Sequence, residues 1–191
     1  DDQERKELRQ DIGMLFQGSA LFDSMTVEQN IMFPLDMFTK DSFDKKLKRV
    51  NEVLERVNLP GTNTKFPAEL SGGMKKRVGI ARAIVLNPRY LPRDEPNSGL
   101  DPLTSLVIDR LIIEITKEFN ITTVMNTHDM NTVMESGDYI LYLYNGKKQW
   151  EGNKEDIIFS KDQTLNDFIF ASEFLRDAKH MRMIEAKQAK S

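Results

Sequence analysis

Leu70-Ser71-Gly72-Gly73-Met74 is followed by Lys75-Lys76-Arg77 and a stretch that reads as helix. Paired glycines are costly inside a helix, but at its start they let bare backbone N–H groups approach a ligand closely. With the Ser71 hydroxyl and the positive end of the helix dipole they predict an anion site, and phosphate is the expected ligand. Standing alone, Ser-Gly-Gly would read equally well as a Ser N-cap on a glycine turn. The residues downstream weigh against that. Asp94-Glu95-Pro96 comes 23 residues after Ser71 and runs into Asn97-Ser98-Gly99-Leu100-Asp101-Pro102. Adjacent carboxylates leaving a short strand point apart, so one can hold a Mg2+ shell while the other faces an attacking water. That division suits phosphoryl transfer, where catalysis is largely positioning and charge neutralisation. His128 follows 34 residues after Asp94, where it can hydrogen-bond a terminal phosphate or orient water, whereas His180 sits in a charged tail and reads as a surface residue.

Such residues need strand ends and helix starts to hold them. Short apolar runs alternate with amphipathic stretches, the pattern of an α/β protein with a mainly parallel sheet. Ile12 to Phe16, Ile121 to Met125 and Tyr139 to Tyr144 read as buried strands. Phe43, Leu47, Val50, Leu54 and Val57 mark one face of a helix that starts near Asp41-Ser42 and stops by Pro60-Gly61. Further helices are expected from Ser71-Gly72-Gly73 to about Leu86 and from Pro102 to about Phe119. Asn145-Gly146 between two apolar runs predicts a hairpin. In the tail, Phe174, Ala178, Met181 and Glu185 share a weak helical face, which reads as a frayed or docked terminal helix or as one that docks on a partner subunit.

Composition narrows the functional classes. At 191 residues and 22.1 kDa, with 39% hydrophobic and 30% charged residues, the chain is long enough for one core without a staple. The longest apolar run, Tyr139 to Tyr144, falls far short of the roughly 20 residues that span a bilayer. A net charge of −3 argues against non-specific nucleic-acid binding. The absence of cysteine excludes thiol catalysis, disulfides and thiolate metal sites. The chain opens Asp1-Asp2-Gln3-Glu4 without an initiator Met and reads as a piece of something longer.

Gln17, Leu70-Ser71-Gly72-Gly73-Met74, Asp94-Glu95-Pro96, Ser98-Gly99-Leu100-Asp101 and Thr127-His128-Asp129 stand in the order and approximate spacing of an ATP-binding cassette (ABC) ATPase. They resemble its Q-loop, signature motif, Walker B, D-loop and switch histidine over roughly residues 12 to 150. Phe16-Gln17-Gly18-Ser19-Ala20-Leu21-Phe22, Met25-Thr26-Val27, Phe33-Pro34-Leu35 and Met74 further resemble the ATPase subunits of Mla-type, MCE-associated lipid transporters of bacterial envelopes.

The resemblance implies a RecA-like P-loop NTPase core with a helical subdomain at about 26–88, a partial cassette over 1–171 and a helical tail over 172–191. It implies a head-to-tail dimer of two copies closing on ATP and Mg2+. Asp94 would support Mg2+ and Glu95 would be the general base. His128 would contact the γ-phosphate, and Gln17 would sense metal and water while linking to the membrane partner. Ser71, Gly72 and Gly73 would grip the γ-phosphate of the opposite subunit's ATP, and Asp101 would couple the two sites. Phe33-Pro34-Leu35 would serve either as subdomain core or as part of a groove for a coupling helix. A transmembrane permease would be the partner, with the ATPase peripheral on the cytoplasmic face of the inner membrane. Solute import, export and a non-transport cassette role are the alternatives to lipid movement.

Two departures qualify the resemblance. No glycine precedes Lys-Ser or Lys-Thr at Walker A spacing, so the phosphate cradle and the N-terminal β-subdomain are missing. The 191 residues alone are therefore expected neither to bind ATP tightly nor to hydrolyse it, and exposed sheet edge is expected to favour self-association. Pro92 and Arg93 also interrupt the strand before Asp94, which calls either for a distorted strand, for an exposed edge or for a sequence error.

Overall fold

A polar helix, α1 (Asp2–Asp11), opens the chain, and its Gln10 Nε2 donates to the Phe38 carbonyl at 2.9 Å. Two amphipathic helices follow, α2 (Val27–Phe38) and α3 (Phe43–Arg56), each started by a hydroxyl cap. Thr26 Oγ1 accepts from Gln29 N while Gln29 Oε1 accepts from Thr26 N, a capping box, and Ser42 Oγ accepts from Lys45 N. Asn30, fully buried, donates from Nδ2 to the carbonyls of Phe22, Met25 and Thr26 and accepts from Phe22 N, fixing the loop that enters α2. The next α-helix, α4 (Gly72–Ile84), starts at Ser71, and α2, α3 and α4 pack on one another. Arg49 of α3 closes the far end of α4 through the Ile84 and Val85 carbonyls.

The described residues are 2–16, 18–94, 99–171 and 173–188, and they fall into two units, Asp1–Asn126 and Thr127–Ser191. In the first, β1 (Tyr90–Asp94) precedes α5 (Pro102–Glu118), and β2 (Thr122–Asn126) pairs parallel with β1, matching Tyr90 to Thr122 and Asp94 to Asn126. On the other side of β1, Ile12 and Leu15 make isolated parallel bridges to Tyr90 and Arg93 rather than the continuous strand expected over Ile12 to Phe16. Gly13 N donates to Tyr90 O and Leu15 N to Pro92 O. The core gathers Leu15, Val27, Ile31, Leu54, Val78, Ile84, Leu91, Ile108, Ile112 and Ile115.

The second unit runs α6 (Met130–Ser136), β3 (Ile140–Tyr144), β4 (Lys147–Gly152), α7 (Lys154–Phe159), α8 (Gln163–Ile169) and α9 (Glu173–Gln188). Asn145 and Gly146, both at positive φ, make the tight turn of the expected antiparallel hairpin. One face of β3 packs inward, with the Tyr142 ring 5.4 Å from that of Phe168, over a core of Ile157, Leu165, Ile169 and Phe170.

Burial corrects the expectation for two strands. Val124 of β2 is 62% exposed, and Tyr139, Leu141 and Leu143 at and along β3 are 65%, 53% and 69% exposed. These short apolar runs read as strands buried on both faces, whereas each is covered on one face only. The described strands form two separate two-stranded sheets, a parallel one of β1 and β2 in the first unit and an antiparallel one of β3 and β4 in the second.

Candidate functional site

Ser71 caps α4 by accepting from Met74 N at 3.3 Å, and Ser71 and Gly72 are exposed at the start of the helix. The glycines matter for a second reason. A Cβ on Gly72 would lie 3.5 Å from Leu100 Cδ2, and one on Gly73 would lie 3.0 Å from Thr104 Cγ2. The start of α4 therefore lies directly against the start of α5. Asp101 caps α5 by accepting from Thr104 N at 3.0 Å and from Thr104 Oγ1 at 2.5 Å. The Thr104 hydroxyl first, and then the Thr104 backbone N–H, hold the Asp101 carboxyl below the usual carboxylate range. The structure thus brings Ser71, Gly72, Gly73 and Asp101 together at one surface of the first unit.

Asp94 is exposed at the C-terminal end of β1, and its N–H reaches Leu15 O at 3.4 Å. Asn126 Nδ2, from the end of β2, donates to Asp94 Oδ1 at 2.9 Å, leaving Oδ2 with no donor among the described residues. Asn126 was not among the residues the sequence singled out; its signal was position, at the end of the strand just before Thr127-His128. No group of three or more His, Cys, Asp or Glu able to hold a metal occurs among the described residues. One strand-end carboxylate with a free oxygen fits Mg2+, which takes one or two carboxylates and draws its remaining ligands from water and phosphates. Glu95 and Gln17, and with Glu95 the Pro96-Asn97-Ser98 stretch, lie outside the described residues. His128 belongs to the second unit, exposed in the turn before α6, where Asp129 N donates to Thr127 Oγ1 at 3.0 Å.

The residues flanking Gln17 are held from α4. Ser19 and Ala20 both have left-handed backbone, at φ 64° and 43°, and their carbonyls accept from Arg82 Nη2 at 2.6 Å and Nη1 at 2.8 Å. Non-glycine residues keep that conformation only where surrounding contacts impose it. The Arg82 guanidinium also lies 5.9 Å from the Phe22 ring centroid, and Phe22 in turn meets Phe33 at 5.0 Å. Phe33-Pro34-Leu35 therefore divides, with Leu35 in the core and Phe33 half-exposed beside Phe22.

The interrupted strand before Asp94 is not an edge. It lies between β2 and the Ile12–Leu15 bridges. Pro92 lacks a ladder donor, while its carbonyl still serves Leu15. Arg93 is buried and finds a counter-ion that the sequence did not indicate: its Nη1 lies 3.5 Å from Asp109 Oδ1 of α5, with the two side chains 3% and 5% exposed.

A protein-family model described as "ABC transporter" matches residues 1–98, just over half of the chain. The chain belongs to the ABC transporter family. The methionine import ATP-binding protein MetN of Campylobacter jejuni is 38% identical over 185 residues, covering 90% of this chain and 55% of that protein. The chain spans about half the length of the curated relatives it matches. Among solved ABC structures, cbiO1 from Clostridium perfringens, part of the complex cbiONQ, matches with a TM-score of 0.76 at 30% identity, over 96% of this chain and 71% of that one. The cassette MJ0796, in a dimeric post-hydrolysis state bound to ADP and Pi, matches with a TM-score of 0.69 at 34% identity, over 81% and 68%. These neighbours identify the fold as the RecA-like P-loop NTPase fold of ABC cassettes. The relatives do not support the Mla-type, lipid-transport reading: those of Campylobacter jejuni and Shouchella clausii are described as methionine import ATP-binding proteins, and one of Mycobacterium leprae as a probable ribonucleotide transport ATP-binding protein, which favours the solute-import alternative. Among the described residues, no helix is long and apolar enough to cross a membrane.

Proposed function

We propose that the chain is part of the ATP-binding and ATP-hydrolysing subunit of an ABC importer for a small solute of the amino-acid class, with methionine as the first candidate. The observation that supports it best is the contact of the exposed α4 start, Ser71-Gly72-Gly73, with the Asp101-capped start of α5. Together they offer helix-start N–H groups and a fixed carboxylate at one surface, the elements a cassette presents to nucleotide held by a second copy. The import reading draws on the descriptions of the relatives.

Residues 1–171 would then form most of one cassette, with 26–88 its helical subdomain and 172–191 a terminal helix. Ser71, Gly72 and Gly73 would bind the γ-phosphate of ATP held by the partner copy, using helix-start N–H groups and the dipole. Asp101 would link the paired sites. Asp94, oriented by Asn126, would hold Mg2+ through Oδ2. When bound, Mg2+ neutralises charge building on the phosphate oxygens. Glu95 would take a proton from the attacking water, His128 would donate to the γ-phosphate, and Gln17 would orient the water and report to a membrane permease. The subunit would sit peripherally on that permease, at the cytoplasmic face.

A chimera carrying the P-loop segment of a methionine-import relative ahead of this chain tests the proposal. Mg2+-dependent ATP hydrolysis is expected, lost in Glu95→Gln and Asp94→Asn, while the 191 residues alone show no micromolar affinity for ATP. A chimera that binds ATP yet turns over equally with and without Glu95 would refute the assignment.

A further inference from the structure

The second unit contains a pocket of about 380 Å³ between α6, α7, α8 and α9, separate from every residue assigned above. Its volume is within the range of small-molecule sites. Its floor is apolar: Met130 and Met134 of α6, Ile158 of α7, Ile169 at the end of α8, and Leu175 of α9.

The rim has the opposite character. Lys154, Lys179 and Arg182 line it, against the single carboxylate of Glu155. None of the three cations makes an ion pair with a described residue. Lys179 is instead held by neutral groups, its Nζ 2.5 Å from Asn166 Oδ1 and 4.5 Å from the Phe170 ring centroid. Burial lowers the pKa of its ammonium, with no carboxylate to offset the loss of water. A cation drawn against an apolar floor without a counter-ion is costly unless an anion joins it.

We propose that this pocket binds a medium-chain monocarboxylate, with the alkyl chain on the methionine and isoleucine floor and the carboxylate between Lys179, Arg182 and Lys154. The preference for an anion over a cation follows from three positive groups against one negative. The preference for a chain over a bare anion follows from the floor. Met130 opens α6 immediately after Thr127-His128-Asp129, so a bound chain would rest on the helix that leaves the His128 turn.

The 191-residue chain, with methionine methyls labelled, is titrated with decanoate below its aggregation threshold, and with decanol and decyltrimethylammonium in parallel. Saturable shifts of the Met130 and Met134 methyls are expected with decanoate. Replacing the carboxylate by a hydroxyl loses charge-assisted hydrogen bonds, so decanol should bind about tenfold more weakly or worse. The Lys179→Gln/Arg182→Gln double variant, altered only at the rim, should erase most of that difference, and Ile158→Trp should block all three ligands. Equal binding of decanoate and decanol, or decanoate binding that leaves both methyls unmoved, overturns the site. Binding to phosphatidylglycerol vesicles without binding of monomeric decanoate overturns it in favour of a membrane surface.

Discussion

Replacing Arg93 by Met removes the cation that faces the buried Asp109 carboxylate. The two side chains are 3% and 5% exposed and meet at 3.5 Å. At an effective dielectric of about 20, that separation corresponds to an attraction of about 5 kcal/mol. Desolvating two ions costs several kcal/mol each, so attraction and desolvation nearly cancel. Arg93 Nε and Nη1 make no hydrogen bond, so the pair is imperfectly satisfied. Burial accordingly pulls the guanidinium pKa below its ordinary value, only partly opposed by Asp109. Breaking such a pair from one side costs about 3–5 kcal/mol, whereas exchanging both members for apolar residues is close to neutral or stabilising. Arg93→Met alone should therefore remove about a fifth or more of a total stability of about 5–15 kcal/mol. The Arg93→Met/Asp109→Leu double variant should recover most of it. Urea melts followed by far-UV circular dichroism on the wild type, both single variants and the double variant close the cycle. A single-variant cost under about 1 kcal/mol, or a double variant as unstable as the sum of the singles, would refute the reasoning.

A Cβ on Gly13 would lie 2.1 Å from the Ala83 carbonyl oxygen, so Gly13→Ala should lower stability by about 1–3 kcal/mol, read in the same urea melts. Arg82→Met removes both donors to Ser19 and Ala20; increased amide hydrogen exchange across 18–22, with α3 unchanged, is the expected result. The backbone N–H of Leu165, and then the Gln149 amide, lower the Asp162 pKa below its unfolded value. Its contribution is present above the ordinary aspartate pKa and is lost as pH falls through the lowered one, so Asp162→Asn should flatten the acid limb of a plot of melting temperature against pH. Leu141 and Leu143 are 53% and 69% exposed on one side of β3, so sedimentation velocity should show concentration-dependent association that Leu141→Lys/Leu143→Lys reduces.

The helix starts were legible in the sequence because capping is local. Ser42, Ser71 and Asp101 each accept from an N–H three residues on, a distance that neither packing nor chain path alters. Asn145-Gly146 fixed its hairpin for the same reason, since a turn's backbone angles depend on its own residues. The order of Gln17, Ser71-Gly72-Gly73, Asp94-Glu95, Asp101 and His128 was likewise enough to indicate the family, because each motif is a contiguous string. The burial of β2 and β3 was misread because an apolar run has the same composition whether one face or both are covered.

Tertiary structure alone decided the partners that are distant in the chain. Asn126 meets Asp94 across 32 residues, Asp109 answers Arg93 from the next helix, and Gly73 abuts Thr104 because α4 and α5 begin side by side. No local pattern marks such pairs. They depend on the parallel register of β1 and β2 and on the path of the chain between elements, both fixed by burying the whole core at once.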